Sequence, residues 1–417
     1  MPAAPVVGAI IDFTPGISVL INPFTLDSPQ LGVLDTNVLG DQPADYVDIS
    51  SLIKTVSIRR GRNRILSKFE AGTATVDIYD QNGDWNPSNP SSPYYGKLIP
   101  LRKIQIFADY DGVRYFLFTG FITNYVTNFA LGTEEVSRVT FKCVDAFRLL
   151  TGALISTVTG ASAGDLSGTR INDILDEVSY PTGLRDVDAG NTNLQDDPGT
   201  SRNALDALRT VEDSELGGFF IDGEGRATFI ERNVITASLG SVAYSFADDG
   251  TAISYQQATV NLDADQLLND VTVTRLNGSP QNAIDQTSID TYFVHSGIRE
   301  DVLMQTDAIA ADMANMILST RSDIETRIDS IQLNLEDGDD VNRCVAGLNL
   351  ELLDAVEITK TMPGSTSVTQ TLLAIGLRHD FSNKKMITTV LTGESLVNGF
   401  ILDSTTLGII GTNVLSY

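Results

Sequence analysis

Apolar residues change their spacing twice along this chain, from a period of two to a period near 3.6 and back. That rules out an all-helical fold and a simple repeat array. Between residues 52 and 150, Val56 and Ile58 alternate with polar neighbours, as do Ala74, Val76 and Ile78, then Ile104, Ile106 and Ala108, which is the pattern of half-buried strands. Asp111-Gly112 separates the strand candidates Ile104–Asp109 and Arg114–Phe118, a strong hairpin signal. Several short strands with turns predict a small barrel or sandwich. Between these strands, Asp80-Gln81-Asn82-Gly83-Asp84-Trp85-Asn86-Pro87 and the Pro/Tyr/Gly stretch to Gly96 read as an irregular surface loop.

After residue 150 the period lengthens. Ile171, Ile174, Leu175 and Val178 mark an amphipathic helix with Thr169 as its expected N-cap. A second helix is expected over Ala204–Glu212, burying Leu205, Leu208 and Val211, and the turn chemistry of Gly217–Ile230 predicts a hairpin. From about 236 the strand pattern returns at Val271 and Val273, Leu333 and Leu335, and Val356 and Ile358. One helix interrupts it over Asp307–Thr320, capped by Thr306, with Ile309, Met313, Met316 and Ile317 as a core stripe.

The ends differ from the middle. Residues 1–45 are rich in Pro, Gly and Asp and are expected to form an extended arm. The segment from Phe24 through Leu26 and Asp27 to Leu39 is echoed by that from Phe400 through Leu402 and Asp403 to Leu415. Ten of sixteen positions are identical in the pattern F-x-L-D-S-x-x-L-G-x-x-x-T-N-V-L. Two copies at opposite termini exclude a solenoid and suggest two arms that dock on equivalent surfaces.

Charge narrows the function. With 54 acidic against 28 basic residues in 417, the net charge is −26, so the average surface has no excess cations to exchange for the counterions of DNA. One run departs from this: Lys54, Arg59, Arg60, Arg62, Arg64 and Lys68 lie in fifteen residues without an acid. Such a run reads either as a solvated strand edge or as a docking patch for an acidic copy or partner. No stretch approaches the ~20 apolar residues of a membrane-spanning helix, and no cleaved signal peptide is expected.

Catalytic signatures do not emerge. The phosphate-binding, nucleophile-elbow, zinc-protease and dinucleotide motifs are absent, and nothing favours a triad on His295 or His379. Cys143 and Cys344 lack metal or redox spacing and read as buried small hydrophobes. Asp80, Asn82 and Asp84 alternate as in a calcium loop, yet Trp85 stands where that loop needs glycine, so the turn reading prevails. No cofactor and no resident metal are expected.

Several segments, in order, resemble minor tail proteins of long-tailed bacteriophages. These are Val56–Arg64, Phe69–Val76, Trp85-Asn86-Pro87, Ser92–Gly96 and Phe118–Ile122. Gly217–Ile230, Asn269–Arg275, Ser288–Arg299 and the Asp307–Thr320 segment are similar to tail-hub proteins of the late-control-D type. The likeness spans roughly residues 50–395. Two departures are His295-Ser296-Gly297-Ile298-Arg299, where the family often has Tyr-Gly-x-Arg, and the short stretch after the second β region, where no large host-binding or lysozyme domain is expected.

The resemblance implies a β-rich α+β chain in which two small β-barrel-like domains flank an α+β unit, with extended N- and C-terminal arms. The expected divisions are an arm at 1–45, a first β domain at 46–150, an α+β unit at 151–235, a second β domain with one helix at 236–395, and an arm at 396–417. It further implies a non-enzymatic homotrimer in the virion tail tip or baseplate, assembled in the host cytoplasm. There it would present pseudo-sixfold symmetry to a hexameric tail tube and line the DNA passage without binding DNA specifically. Expected partners are the distal tail or tube ring, the tape measure, and tip or fibre proteins. A hexameric distal-tail ring is the near alternative, and an envelope-binding or envelope-degrading enzyme the distant one.

Overall fold

A computed structural model describes residues 4–14, 45–63, 68–128, 137–262, 264–336, 340–364, 366–382 and 384–394. The first β region contains β1 (Val6–Asp12), β2 (Tyr46–Asp48), β3 (Ile53–Gly61), β4 (Glu70–Tyr79), β5 (Arg102–Tyr110), β6 (Val113–Asn128) and β7 (Arg138–Val144). Alternation in β3 and β4 places Val56, Ile58, Ala74, Val76 and Ile78 in the core, as their period requires. β1 falls within the expected arm. Its run Val-Val-Gly-Ala-Ile-Ile-Asp is almost wholly buried and pairs along its length with β5, and a continuous apolar run is the signature of a strand covered on both faces.

The α+β unit follows as α1 (Phe147–Gly152), β8 (Leu154–Ile155), α2 (Ser167–Glu177), β9 (Arg185–Val187), β10 (Arg202–Asn203), α3 (Ala204–Glu215), β11 (Gly218–Ile221), β12 (Ala227–Ile230) and α4 (Arg232–Ser238). α3 is capped by the Asn203 side chain, which accepts from the Asp206 N–H. α2 begins two residues before Thr169, and no side chain caps it. Carbonyls of the neighbouring loop replace the cap: Ser167 N–H donates to Thr192 O and Gly168 N–H to Ala189 O, satisfying donors that a helix start otherwise leaves orphaned. The predicted hairpin is β11–β12, extended in parallel by β9.

The second β region contains β13 (Tyr244–Ala247), β14 (Gln257–Asn261), β15 (Asp270–Arg275), β16 (Gln281–Ile284), α5 (Gln286–Tyr292), β17 (Ser296–Val302), α6 (Asp307–Arg321), β18 (Arg327–Asn334), α7 (Val341–Asn349), β19 (Ala355–Thr361), β20 (Ser367–Ser382) and β21 (Lys385–Gly393). Thr306 caps α6 as expected, accepting from the Ile309 N–H. The single helix expected here is joined by α5 and α7, of seven and nine residues, capped by Asp285 and Asp340. Each is too short to show a helical period. β15, β16 and β17 form a separate three-stranded sheet on which α6 packs.

Thirteen strands form one sheet, running β14-β18-β21-β20-β3-β4-β7-β6-β5-β1-β2, with β19 on β20 and β13 on β19. The two β regions are therefore fused edge to edge through antiparallel β3 and β20. Pairing among the described residues closes neither region into a barrel. The regions nevertheless repeat each other. The antiparallel ladder β3-β4-β7-β6-β5 has the same connectivity as β14-β18-β21-β20-β19. β6 and β20 are both sixteen residues long. Both bulge against the following strand, β6 between Ile122 and Asn124 and β20 between Ala374 and Gly376.

Candidate functional site

The basic run does not form one exposed surface. Lys54, Arg59 and Arg60 lie on β3, where Arg60 shares the inward parity of Val56 and Ile58 while Arg59 points outward. Arg62 is buried with its guanidinium 4.4 Å from the Phe69 ring centroid. Burial pushes its pKa down to about 10 against the opposing field of Glu212. Lys68 Nζ lies 2.8 Å from Asp213 Oδ2. Arg64, and the terminal candidates Phe24, Leu26, Asp27, Phe400, Leu402 and Asp403, lie outside the described residues.

What the run builds is a joint between the three parts of the chain. Arg60 grips Glu351, which precedes β19, in a bidentate pair: Nη1 to Oε1 at 2.6 Å and Nη2 to Oε2 at 3.1 Å. The same carboxylate accepts from Gly223 N–H at 3.2 Å, in the β11–β12 turn, and from Leu352 N–H at 2.8 Å. The turn itself seats on β6, where Thr119 Oγ1 donates to Gly223 O at 3.0 Å. Gly223 is required there, because a Cβ would stand 2.2 Å from Phe116 O. A polar groove of about 310 Å³ opens beside the joint, lined by Arg60, Arg114, Tyr115, Asp222, Arg226 and Glu351.

A second joint centres on Asp213 of α3, which receives Lys68 on one oxygen and, at 3.0 Å, Arg299 of β17 on the other. Sequence reasoning found the cations but not their partners. Parity was the available signal for Arg60, since positions 56, 58 and 60 share a face.

The other titratable candidates sit inside the protein. Desolvation raises Asp145 and Glu212 to about 7. Asp145 accepts from Gly72 and Phe147 N–H, and Glu212 from Phe219 N–H, so each satisfies backbone donors in the core. His379 is fully buried and lowered to about 3 by desolvation and then by Arg60, with Nδ1 3.0 Å from Thr388 Oγ1. His295 Nε2 faces Tyr292 O at 3.1 Å. Cys143 and Cys344 are buried, and the Cys344 Sγ donates to Leu335 O at 3.3 Å. Asp80 turns its oxygens to Asp84 and Trp85 N–H, and among the described residues no group of three or more His, Cys, Asp or Glu is placed to hold a metal. Trp85 is buried against Tyr94 and Phe141, so its loop is pinned to the core. No described helix is long and apolar enough to cross a membrane.

No family model and no curated protein matches the sequence. Solved structures do. A tail protein from Neisseria meningitidis MC58 superposes with a TM-score of 0.52 at 12% identity, covering 82% of this chain and 93% of that one. The 43 kDa tail protein of prophage MuSo2 from Shewanella oneidensis superposes with a TM-score of 0.51 at 13% identity, covering 82% and 94%. The chain has the fold of these two tail proteins.

Proposed function

We propose that this protein is a structural hub of a bacteriophage tail tip, assembled as a homotrimer that adapts a hexameric tail tube to a threefold tip. The observation that carries this reading is the duplicated five-strand ladder, fused within one subunit through β3 and β20. Three subunits built this way present six similar β units around an axis, the pseudo-sixfold surface a sixfold tube needs. The shared fold supports it over most of both tail proteins' length.

In this role each β region forms a barrel-like wall, and the chain performs no catalytic step. Its neighbours are the distal tail or tube ring, the tape measure and the tip or fibre proteins. The charge of −26 keeps DNA moving, because an acidic passage repels phosphates and offers no counterion release. Lys54 and Arg59 supply the positive surface left for acidic partners, Lys68 being held by Asp213. The segments at Phe24–Leu39 and Phe400–Leu415 act as docking arms, and removing residues 396–417 is expected to weaken assembly while the core stays folded. Immunogold labelling of purified virions tests the placement: label confined to the tail tip is expected, and label along the tube or none on the particle contradicts it.

A further inference from the structure

The internal repeat is broken at one place. On β20, the half from Gly376 to Ser382 carries β21 on one side and β3 on the other. The corresponding half of β6, Asn124–Asn128, carries β7 on one side and, among the described residues, no strand on the other. The complementary defect lies on β14. Its counterpart β3 is paired on both sides, with β4 and β20, whereas β14 pairs only with β18 among the described residues.

We propose that β14 of one copy pairs antiparallel with the C-terminal half of β6 in the next copy, as β3 pairs with β20 within a copy. The register follows from the repeat. The shared bulge aligns Asn124 with Gly376, hence Thr127 with His379 and Asn128 with Asp380. Tracing the ladder across β7 and β4, and across β21 and β18, aligns Ser57 with Thr259. Asp380 faces Ser57, so Asn128 faces Thr259 of the neighbour, Thr127 faces Val260, Val126 faces Asn261 and Tyr125 faces Leu262.

Three independent features fit this seam. Half-buried Tyr125, Thr127 and Val260 fall on the face that buries Leu377, His379 and Ile58 in the intramolecular pair. Neither edge carries a guard: Thr123–Asn128 and Gln257–Leu262 contain no charged residue and no proline, in a chain with 82 charged side chains (54 acidic plus 28 basic). Edges left to solvent are normally protected by charge or proline, and the opposite end of the sheet, three-residue β2, ends on Asp48 and is preceded by Asp45. Leu262 stands 67% exposed at the end of β14, and the pairing covers it with Tyr125. The contact is head to tail, so it repeats until a ring closes, with main-chain hydrogen bonds supplying the affinity.

The seam rests on the ring reading above, but not on its copy number. The test is oxidative cross-linking of the full chain carrying Asn128→Cys and Thr259→Cys. Residues directly opposed in an antiparallel pair lie about 4.5–5.5 Å apart at Cα, within disulfide reach, and the native cysteines are buried. A covalent ladder ending in a closed ring is expected, with none from Asn124→Cys plus Thr259→Cys, four residues out of register. A chain that stays monomeric under oxidation, or a control that links equally, overturns the seam. Hydrogen exchange on the unmodified chain gives a second reading: within 124–128 and 257–261, the alternate amides that point away from β7 and β18 are expected to exchange fast in dilute monomer and to slow on assembly. Protection of those outward amides already present in the monomer overturns the proposal, since the edges are then covered within the chain. A linked ring of six keeps the seam and removes the trimeric hub; an unlinked trimer keeps the hub and removes the seam.

Discussion

Arg60 and Glu351, 291 positions apart, meet in a bidentate ion pair whose arginine side chain is 4% exposed and whose glutamate is 33% exposed. Their contact ties the first β region to the second, and the Gly223 N–H on the same carboxylate adds the α+β unit. Breaking a buried pair by removing one partner leaves the other uncompensated and costs about 3–5 kcal/mol. Arg60→Ala is expected near the lower end, about 3 kcal/mol, because the partly exposed Glu351 regains water. Arg60→Lys loses the fork geometry and falls between. Denaturant titration with a double-mutant cycle to Glu351→Gln reads both, and a coupling energy near zero contradicts the joint.

Gly223→Ala probes the same joint from the backbone. The added Cβ meets the Phe116 carbonyl at 2.2 Å, and overpacking of this kind costs about 1–3 kcal/mol. Limited proteolysis is expected to cut the β11–β12 turn faster in the variant, and unchanged cleavage contradicts the docking of that turn on β6.

Glu212 makes stability depend on pH with a definite sign. Its folded pKa, about 7, stands above the ordinary value of 4.5, so its stabilising contribution is complete below about 4.5 and is lost as pH rises through 7. Glu212→Gln keeps an acceptor for Phe219 N–H and removes that titration. Wild type is therefore expected to lose at least ~1 kcal/mol relative to the variant between pH 4.5 and 8, one pKa unit being worth about 1.4 kcal/mol. His379, lowered to about 3, acts oppositely, losing its contribution as pH falls from 6.5 toward 3. Parallel stability profiles for wild type and Glu212→Gln contradict the assignment.

The Asp80–Gly96 loop behaves as a pinned turn. Trp85→Ala removes a buried indole packed on Tyr94 and Phe141 and is expected to cost about 3–5 kcal/mol. Chelator is expected to leave the thermal midpoint unchanged, because Asp80 already accepts from Asp84 and Trp85 N–H. A midpoint that rises on adding calcium contradicts this.

Local period carried most of what was legible in the sequence. β3, β4, β15, β19, α3 and α6 appear where alternation or an i, i+3, i+4 stripe is long enough to read, and the Asn203 and Thr306 caps follow local chemistry. β1 was hidden because a continuous apolar run shows no alternation and lies in a Pro/Gly-rich stretch. The α2 start was misplaced because tertiary carbonyls of Ala189 and Thr192, not a side chain, satisfy its first donors. The β3–β20 fusion was invisible, since strands more than 300 residues apart carry no mutual signal in one sequence. For the same reason the basic run looked like a surface patch: Glu351, Asp213 and Glu212 meet Arg60, Lys68 and Arg62 only in the fold.

In the proposed hub, two fused, repeated β regions per subunit build a sixfold surface from three copies. Electron microscopy of the assembled tail tip, resolving the copies of this chain around the tail axis, tests it most directly. Three copies are predicted, each spanning two adjacent positions of the sixfold ring and joined to the next through β14 and β6. Six copies, each filling one position, would contradict it.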